Sequence, residues 1–507
     1  MTLLIKNVQV LGGARKFSEG SDVFVSGDKI SALGNFPNKA ADVVLDGQGA
    51  YLSPGFIDVN TDSDHYLTLF DHPAQEDFLR QGVTTIFGGM CGSSLAPLFY
   101  GTLESVRKWG GSEDKINVNW HTLGEFLAEL DRKPLGVNFG TMVGHATIRR
   151  AIVGDDLREL TKNELNVFRE TLMHALKEGG FGLSTGLGYV HARKTPYAEL
   201  RALAGIVKEM NGVYATHLRD AGTGIEESLD ETIRLARETG ASTLVSHFVP
   251  LMRAKKEYSA ALKKINALPP EFDFRFDIYP SAHTLVPLYT FLPVWAQTGG
   301  LEVMLASVKD AWMRDRIKKD MEVADDKAFV VAQAIGNDFL VGKTLNDIKQ
   351  RYELCDARDA ILKLMETTGL KGTIFYGNLD APLIKKAIAS GRSLIASNAP
   401  SFADEKSDTL LKSERTTSTF TQFLALAEKE KLMPLADAVK KITIEPAKLF
   451  GLAGRGEIKE GNFADLTCFR NGEIKFTVVN GKVAMRDGAF EGTPAGVILR
   501  HRPGKSS

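Results

Sequence analysis

Hydrophobic and polar residues alternate along both ends of the chain, and glycines separate the alternating segments. LLIKNVQVLGG, DVFVSGDKISALG and DVVLDGQGAYL occur near the N-terminus, and DLTCFRNGEIKFTVVNGKVAMRDG occurs near the C-terminus. A period of two residues broken by turns predicts β-strands, and the Asn-Gly pairs at positions 471 and 480 are typical of hairpin turns. We therefore predict that residues 1–52 and 455–507 together form one small β-sandwich domain. Two unrelated terminal hairpins remain the alternative.

The middle of the chain, residues 53–454, has a different rhythm. Short apolar runs that end in small residues alternate with helical segments such as TKNELNVFRETLMHALKEGG, YAELRALAGIVKEMNG and IEESLDETIRLARETG. The last two end at glycine, as helices commonly do at their C-caps. The candidate strands are Gly55–Asn60, Thr84–Gly89, Val137–Val143, Phe181–Thr185, Val213–His217, Thr243–His247, Phe274–Tyr279, Thr373–Tyr376 and Leu394–Asn398.

Repeated βα units predict a parallel sheet, and about eight of them predict an α/β fold with a closed (β/α)8 TIM-type barrel. The candidate strands are one more than such a barrel needs, so one of them lies outside it. An open doubly wound sheet is the alternative, but no G-x-G-x-x-G follows the first strand. A charged, mostly helical segment at about 290–370 interrupts the rhythm. We predict an insertion between late barrel strands that covers the pocket like a lid.

Composition narrows the class of function. The 507 residues include 62 Lys and Arg against 63 Asp and Glu, a formal net charge of −1. This balance gives no general attraction to nucleic acid or an anionic membrane, so we expect a small-molecule partner. No apolar run approaches the ~18 residues of a membrane span. Three widely separated cysteines, Cys91, Cys355 and Cys468, suit neither a disulfide framework nor a CxxC metal clip, and they predict a reducing, cytoplasmic setting.

Polar side chains of the kinds found in metal and catalytic sites lie at or just after the ends of several candidate strands. These residues are Asn60, Asp62, Cys91, His217, His247, Asp277, Tyr279 and Asn398. The C-terminal ends of barrel strands converge on one pocket, so residues far apart in the chain meet there. One thiolate and two imidazoles suit a catalytic zinc, which takes three protein ligands and leaves a fourth position open. We therefore predict zinc at Cys91, His217 and His247, although each of these residue types, taken alone, is more often structural.

The remaining histidines do not end candidate strands so clearly, and we expect them to be structural. They are His65, His72, His121, His145, His174, His191, His283 and His501. Of these, His145 and His283 are the candidates for the border of the pocket.

The motifs of the chain resemble those of a known family. SPGFIDVNTDSDHYLTLFDHPAQEDFLRQGVTTIFGGMCGSSLAPL, MVGHATIRRAIVG, GGFGLSTGLGYVHA, GVYATHLRDAG, TLVSHF, FDIYP and ITIEPAKLFGLAGRGEIKEGNFADL look like motifs of the N-acyl-D-amino-acid deacylases (D-aminoacylases) of the amidohydrolase superfamily. The likeness runs from about residue 1 to 505. It implies a metal-dependent (β/α)8 barrel with a small β domain, a lid insertion and a zinc site that hydrolyses the amide of an N-acylated D-amino acid. It also implies one tightly held zinc at the positions of Cys91, His217 and His247.

Three positions depart from the family pattern at the metal and general-base sites. The histidines of the family's GFIDxHxH motif belong to a second, weaker metal position, and Asn60 and Asp62 replace them here. An amide oxygen ligates zinc poorly and a carboxylate ligates it well, so Asp62 partly replaces what is missing. The family's general-base aspartate is replaced by Asn398, whose amide hydrogen-bonds a water but cannot take its proton. We therefore expect one zinc ion and assign the proton transfer to Asp62.

The resemblance also assigns the binding of the substrate carboxylate. The family's carboxylate-binding tyrosine and arginine correspond to Tyr279 and Arg415, while a family lysine is replaced by Val249. Arg219 and Asp220 match an Arg-Asp pair that is either catalytic or an ion pair that orients its loop.

The sequence thus predicts a zinc hydrolase of linear amide bonds that is similar to the N-acyl-D-amino-acid deacylases. The alternative is a catalytically silent or divergent zinc-binding homologue that binds an acylated amino acid without turnover. A lyase or isomerase reaction in the same pocket is a third interpretation.

Overall fold

The computed structural model describes residues 1–12, 20–99, 103, 116–154, 156–322, 328–403 and 410–504. The chain opens with the strands β1 (Thr2–Val10), β2 (Ser21–Ser26), β3 (Lys29–Gly34), β4 (Val43–Asp46) and β5 (Tyr51–Pro54). Strand β1 belongs to two parts of the sheet. It pairs antiparallel with β2 over its first residues and parallel with β5 at Gln9 and Val10. The change of partner follows an irregularity in β1, where Asn7 has a φ of 54°.

Parallel strands and helices then alternate. The strands are β6 (Phe56–Asp58), β7 (Val83–Gly88), β8 (Asn138–Thr141), β9 (Val143–Gly144), β10 (Gly182–Gly186), β11 (Val213–His217), β12 (Ser242–Val245) and β13 (Phe274–Ile278). The helices are α1 (Thr68–Asp71), α2 (Glu76–Leu79), α3 (Leu123–Leu130), α4 (His145–Val153), α5 (Lys162–Lys177), α6 (Tyr197–Glu209), α7 (Ile225–Thr239) and α8 (Lys255–Asn266). Their apolar faces and the strands share the largest buried core.

An insertion at residues 284–376 follows β13. It consists of β14 (Thr284–Pro287), α9 (Gly300–Lys309), α10 (Ala311–Asp320), β15 (Phe329–Ala334), α11 (Leu345–Arg351), α12 (Ala357–Thr368) and β16 (Gly372–Tyr376). Its strands form an antiparallel sheet in the order β14-β16-β15, and its buried side chains form a hydrophobic cluster of their own. The surplus candidate strand Thr373–Tyr376 is therefore β16 of this sheet, and it is not a barrel strand.

The barrel resumes with α13 (Ala381–Ile388), β17 (Ser393–Ile395), α14 (Glu414–Lys429), α15 (Leu435–Lys441) and α16 (Ile444–Leu449). Strands β6, β7 and β8 pair in parallel, as do β9 to β13 and β17. The β8–β9 segment acts as the third strand and links the two sets. The ring closes at Asn398, whose N–H donates to the Asn60 carbonyl over 2.8 Å. The fold is thus the predicted TIM-type barrel.

The C-terminal strands are β18 (Leu466–Arg470), β19 (Glu473–Val479), β20 (Lys482–Arg486) and β21 (Ala489–Phe490). They continue the N-terminal sheet in the order β21-β20-β19-β18-β5-β1-β2-β3, with β4 beside β1. Side chains from both ends of the chain pack in one apolar cluster. Both predicted Asn-Gly turns join adjacent strands, and all four of their residues have positive φ, as a type I′ turn requires.

Some helix ends follow local sequence signals. Thr161 and Glu164 form a capping box at the start of α5, and Gly240 ends α7 in the left-handed conformation with a φ of 69°. The predicted glycine stop of α6 is wrong in detail, because Asn211, with a φ of 54°, takes the left-handed conformation one residue before Gly212. Asparagine tolerates that conformation better than most residues. Among the described residues, no helix is both long enough and apolar enough to cross a membrane.

Candidate active site

Three metal-binding side chains meet at the C-terminal end of the barrel. Cys91 follows β7, His217 ends β11 and His247 follows β12. The Cys91 Sγ lies 3.2 Å from His247 Nε2, which lies 2.9 Å from His217 Nδ1. All three ligand atoms fall within 4.8 Å of one another. In the described part of the chain, these are the His, Cys, Asp and Glu side chains that group closely enough to hold a metal ion.

The backbone around these ligands is shaped for a close approach. Cys91 and His247 have φ values of 54° and 36°, so the chain turns sharply after each strand and directs both side chains inward. The His247 N–H donates to Asp277 Oδ1 over 2.8 Å, which fixes that turn. A Cβ atom at Gly188 would lie 2.7 Å from His217 Nε2, so glycine is required for the loop to pass this ring.

The donor set fits zinc chemically. One sulfur and two imidazole nitrogens match the ligands of catalytic zinc sites, and three protein ligands leave a position for water or substrate. Burial lowers the pKa of His247 to about 4, so this imidazole is neutral at pH 7, which is the form that binds a metal. Copper and other divalent ions also bind such ligands.

Tyr189 is a site residue that the sequence analysis missed. Its hydroxyl hydrogen-bonds Cys91, and its ring lies 4.8 Å from the His217 ring. Burial raises its pKa well above the usual value, and the charges of Cys91 and of Tyr289 act in the same direction. Tyr289 belongs to the insertion, which therefore reaches the side of the metal cluster. The available signal was the GLGY motif after β10, where Tyr189 follows a strand end by only three residues.

Asp62 lies in a buried hydrogen-bond network. Its Oδ1 is 3.0 Å from His65 Nδ1, and its Oδ2 accepts a hydrogen bond of 3.0 Å from Asn398 Nδ2. Burial alone raises the pKa of Asp62, but the hydrogen bond from His65 and the positive charges of His65 and Arg415 outweigh it and lower the pKa overall. Asp62 is therefore ionised at neutral pH. His65, which was expected to be merely structural, contacts the proposed proton acceptor directly.

Two further carboxyl groups lie at the closure of the barrel. Asn60 Nδ2 donates to Asp277 Oδ2 over 3.2 Å, and the carboxylate of Asp58 accepts hydrogen bonds from the backbone N–H groups of Asn60 and Ser397. Burial raises the pKa of Asp58 to about 8 and that of Asp277 to about 7, because each charged form loses its hydration. The Asp58 contacts join the end of β6 to the segment after β17, and the bond between Asn60 and Asp277 joins the end of β6 to β13.

Arg415 and Tyr279, the predicted carboxylate-binding residues, are adjacent. The Arg415 guanidinium carbon lies 4.6 Å from the centre of the Tyr279 ring, and one terminal nitrogen donates to the Asn398 carbonyl over 2.5 Å. Its Nε is buried and donates to no group among the described residues, so it has a hydrogen-bond donor to offer a ligand. The positive charge of Arg415 also helps to lower the pKa of Asp62.

Other candidates lie away from the cluster. Arg219 pairs with Glu231 at 2.9 Å, and Asp220 accepts a hydrogen bond from the Gly222 N–H over 2.6 Å, so each orients the loop before α7 separately.

The two histidines that were candidates for the border of the pocket do not contact the cluster. His145 is buried against Glu199 at 2.8 Å, and His283 is exposed at the start of the insertion. Val249, at the position of the family's lysine, is buried in the main core.

Comparisons with known proteins find relatives that match nearly the whole chain. The amidohydrolase family model matches residues 308–484. The D-aminoacylase of Alcaligenes xylosoxydans xylosoxydans is 28% identical over 523 residues, which cover 98% of this chain and 97% of that protein. The N-acyl-D-glutamate deacylase of Bordetella bronchiseptica, solved with zinc and a phosphonate inhibitor, superposes with a TM-score of 0.81 at 25% identity, covering 98% of this chain and 99% of its own. A D-aminoacylase with a binuclear metal centre, described as activated by one metal and attenuated by a second, superposes with a TM-score of 0.78 at 26% identity. The match covers 98% of this chain and 99% of that protein.

The barrel, the two-ended sheet and the metal ligands on strand ends accompany a similarity to the amidohydrolase family, whose model matches residues 308–484. Over most of its length the chain is similar to a D-aminoacylase and to an N-acyl-D-glutamate deacylase. The resemblance found in the sequence motifs is thereby confirmed.

Proposed function

We propose that this protein is a zinc-dependent amidohydrolase that cleaves the amide bond of N-acyl-D-amino acids. The observation that carries the proposal is the meeting of Cys91, His217 and His247 within 4.8 Å at the strand ends of the barrel. Full-length similarity to a D-aminoacylase and to a deacylase solved with zinc supports the substrate class. The partner is accordingly a small molecule.

Zinc held by these three ligands would polarise the scissile carbonyl and lower the pKa of an attacking water. The chain itself orients the ligands. Asp277 holds the backbone of His247, and Tyr189 hydrogen-bonds the sulfur of Cys91. Asp277 is buried and Tyr189 is partly buried, and both hydrogen bonds restrict the movement of the ligands.

Arg415 and Tyr279 bind the substrate carboxylate. A guanidinium fork matches a planar carboxylate, and the buried Nε of Arg415 has no partner in the described residues. The Tyr279 hydroxyl, which also hydrogen-bonds Arg415, supplies a second donor. A carboxylate held here would lie beside Asn398, whose carbonyl already accepts from Arg415.

Asp62 accepts the proton released by the attacking water. It is a buried, ionised carboxylate that lies close enough to Arg415 and to the metal ligand His247 for a positive charge on either to lower its pKa. Asn398 orients Asp62 by donating to Oδ2. The lowered pKa of Asp62 makes it a weaker base than a carboxylate at its usual value, so we expect proton transfer to limit the rate.

One observation favours a second candidate function, the binding of zinc and an acylated amino acid without turnover. The residue at the family's general-base position is Asn398, which cannot accept a proton, and Asp62 already receives two hydrogen bonds.

The deciding experiment combines metal content with a substrate panel. Elemental analysis should give about one zinc per chain, and Cys91→Ala should abolish it because one of three ligands is lost. Cys468→Ala, which changes a buried cysteine of the β domain, is the matched control and should retain zinc. Hydrolysis of N-acetyl- and N-formyl-D-amino acids, with the L-enantiomers as controls, should depend on that zinc. Bound zinc without turnover across the panel would favour the binding protein, and zinc retained by Cys91→Ala would contradict the assigned ligands.

We also propose that the protein works in the cytoplasm. None of its three cysteines is in a disulfide, which suits a reducing compartment.

A further inference from the structure

The side chains at the family's second metal position are occupied by hydrogen bonds within the protein. Asn60 directs its amide Nδ2 to Asp277 over 3.2 Å, and Asp62 bonds His65 and Asn398 at 3.0 Å each. Asn398 thus gives its Nδ2 to Asp62 and its carbonyl to Arg415. A metal ion at this position would have to compete with each of these bonds.

His65 brings a positive charge to this network. Its Nε2 lies 3.0 Å from the Ser93 carbonyl, which can only accept, so Nε2 carries a proton. Its Nδ1 lies 3.0 Å from Asp62 Oδ1, and Asp64 Oδ2 is 3.9 Å from the ring. A proton is therefore held between His65 Nδ1 and Asp62 Oδ1. The buried ring is therefore an imidazolium. Its positive charge faces two carboxylates, as the charge of a bound metal ion would.

The same residues fix the segment after β6 to the loop that carries Cys91. The Gly89 N–H donates to Asp64 Oδ2 over 2.6 Å, and His65 donates to Ser93, two residues beyond the cysteine. Both contacts are fully buried. The position of Asp62 is consequently set by the protein itself, and a metal ion is not needed to hold it.

We infer that the network of Asp62, His65 and Asn398 takes the place of a second metal ion, so that this chain binds a single catalytic metal. The inference rests on the proposed zinc site, which supplies that single ion. It also predicts a difference from the D-aminoacylase whose binuclear centre is attenuated by its second metal. Excess zinc should not attenuate this protein through the same position.

The experiment is a metal titration that does not depend on turnover. Metal-free full-length protein is titrated with Co²⁺, and absorbance from the Cys91 thiolate ligand together with elemental analysis after desalting gives the number of bound ions. We expect saturation at one equivalent. The variant Asn60→His/Asp62→His/Asn398→Asp, which replaces the network with metal ligands, should bind a second equivalent. Thermal unfolding followed by circular dichroism verifies that the variant is folded, and Asp62→His/Asn398→Asp serves if the triple variant is not.

Each outcome has a distinct meaning. A second equivalent in the natural protein that is lost in Asp62→Ala and kept in Cys91→Ala would overturn the inference and leave the zinc proposal standing. A folded ligand-restored variant that still binds one ion would also overturn it. No bound ion at all would overturn the proposed zinc site itself. His174→Gln, which changes an exposed histidine of α5, should titrate like the natural protein, so a changed count there would discredit the assay.

Discussion

Asp62 shows how a single carboxylate depends on its neighbours. Two donors and a nearby guanidinium keep it ionised although it is fully buried. A buried charge persists only when such partners offset its lost hydration. Because the same partners lower the pKa of Asp62, they fix the position of the carboxylate but make it a weaker base.

Replacing this carboxylate tests its role directly. Asp62→Asn should lower kcat by about 10²- to 10⁴-fold, the usual contribution of a general base, while zinc content stays near one per chain. Asp62→Glu keeps the carboxylate but shifts its position. Its kcat should lie between that of the natural protein and that of Asp62→Asn. Steady-state kinetics on the best N-acyl-D-amino acid together with elemental analysis provide the measurement. Turnover unchanged in Asp62→Asn would remove its assigned role.

Asn398 offers the converse test. Asn398→Asp restores a carboxylate after β17, the eighth strand of the barrel. It should raise kcat by about tenfold or more if proton transfer limits the rate. KM should change less, because Arg415 binds the Asn398 backbone carbonyl, which the substitution keeps. A lower kcat in a folded Asn398→Asp protein would show that its repulsion of Asp62 outweighs any gained basicity.

The strand ends explain which site residues could be predicted from sequence. Cys91, His217 and His247 each follow an apolar run, and closure of a barrel brings such positions together. His65 lies in a loop with no periodic signal, and its partner Ser93 is 28 residues away, so its role depends on tertiary contacts. Tyr189 was missed for a related reason, since its contact with Cys91 crosses between separate strand ends.

At the scale of elements, local signals predicted most helices and strands. The apolar run at Thr373–Tyr376 is as short and β-branched as a barrel strand, so its sequence alone could not separate the antiparallel sheet of the insertion from the barrel. The Asn-Gly turns could be predicted because a two-residue type I′ turn requires positive φ at both positions, which is a purely local demand.

The capping box of α5 gives a stability prediction for one element. Thr161→Ala should lower the free energy of unfolding by about 1 kcal/mol, because the backbone N–H of Glu164 loses its acceptor. Urea denaturation monitored by circular dichroism measures the change. Thr171→Ala, at an exposed position within the same helix, is the matched control, and we expect it to be neutral or slightly stabilising. Equal losses in both variants would argue against the cap.

At the scale of the whole molecule, the buried charges make stability depend on pH. Burial alone lowers the pKa of His65, but the charge of Asp64 and the hydrogen bond with Asp62 outweigh it and raise the pKa to about 9. A histidine whose folded pKa exceeds its unfolded value of about 6.5 stabilises the protein fully below that value and loses the contribution as pH rises through the folded pKa.

The difference in melting temperature between the natural protein and His65→Gln should therefore be largest below about pH 6.5 and should shrink toward pH 9. Metal-free samples avoid the added pH dependence of zinc binding. Thermal melts across this range provide the measurement, with His174→Gln as an exposed control. A constant difference between His65→Gln and the natural protein at all pH values would contradict the charged state of His65.

The sheet built from both ends of the chain cannot be completed until the C-terminal strands have been synthesised. Strand β5 pairs with β1 on one side and with β18 on the other, so its second neighbour leaves the ribosome about 400 residues after it. At translation rates of roughly 5–20 residues per second, the first strands wait on the order of 20–80 s with an unpaired edge. A chaperone that binds the N-terminal strands would protect this edge until β18 is made, and a truncated message would yield a chain in which the edge stays unpaired.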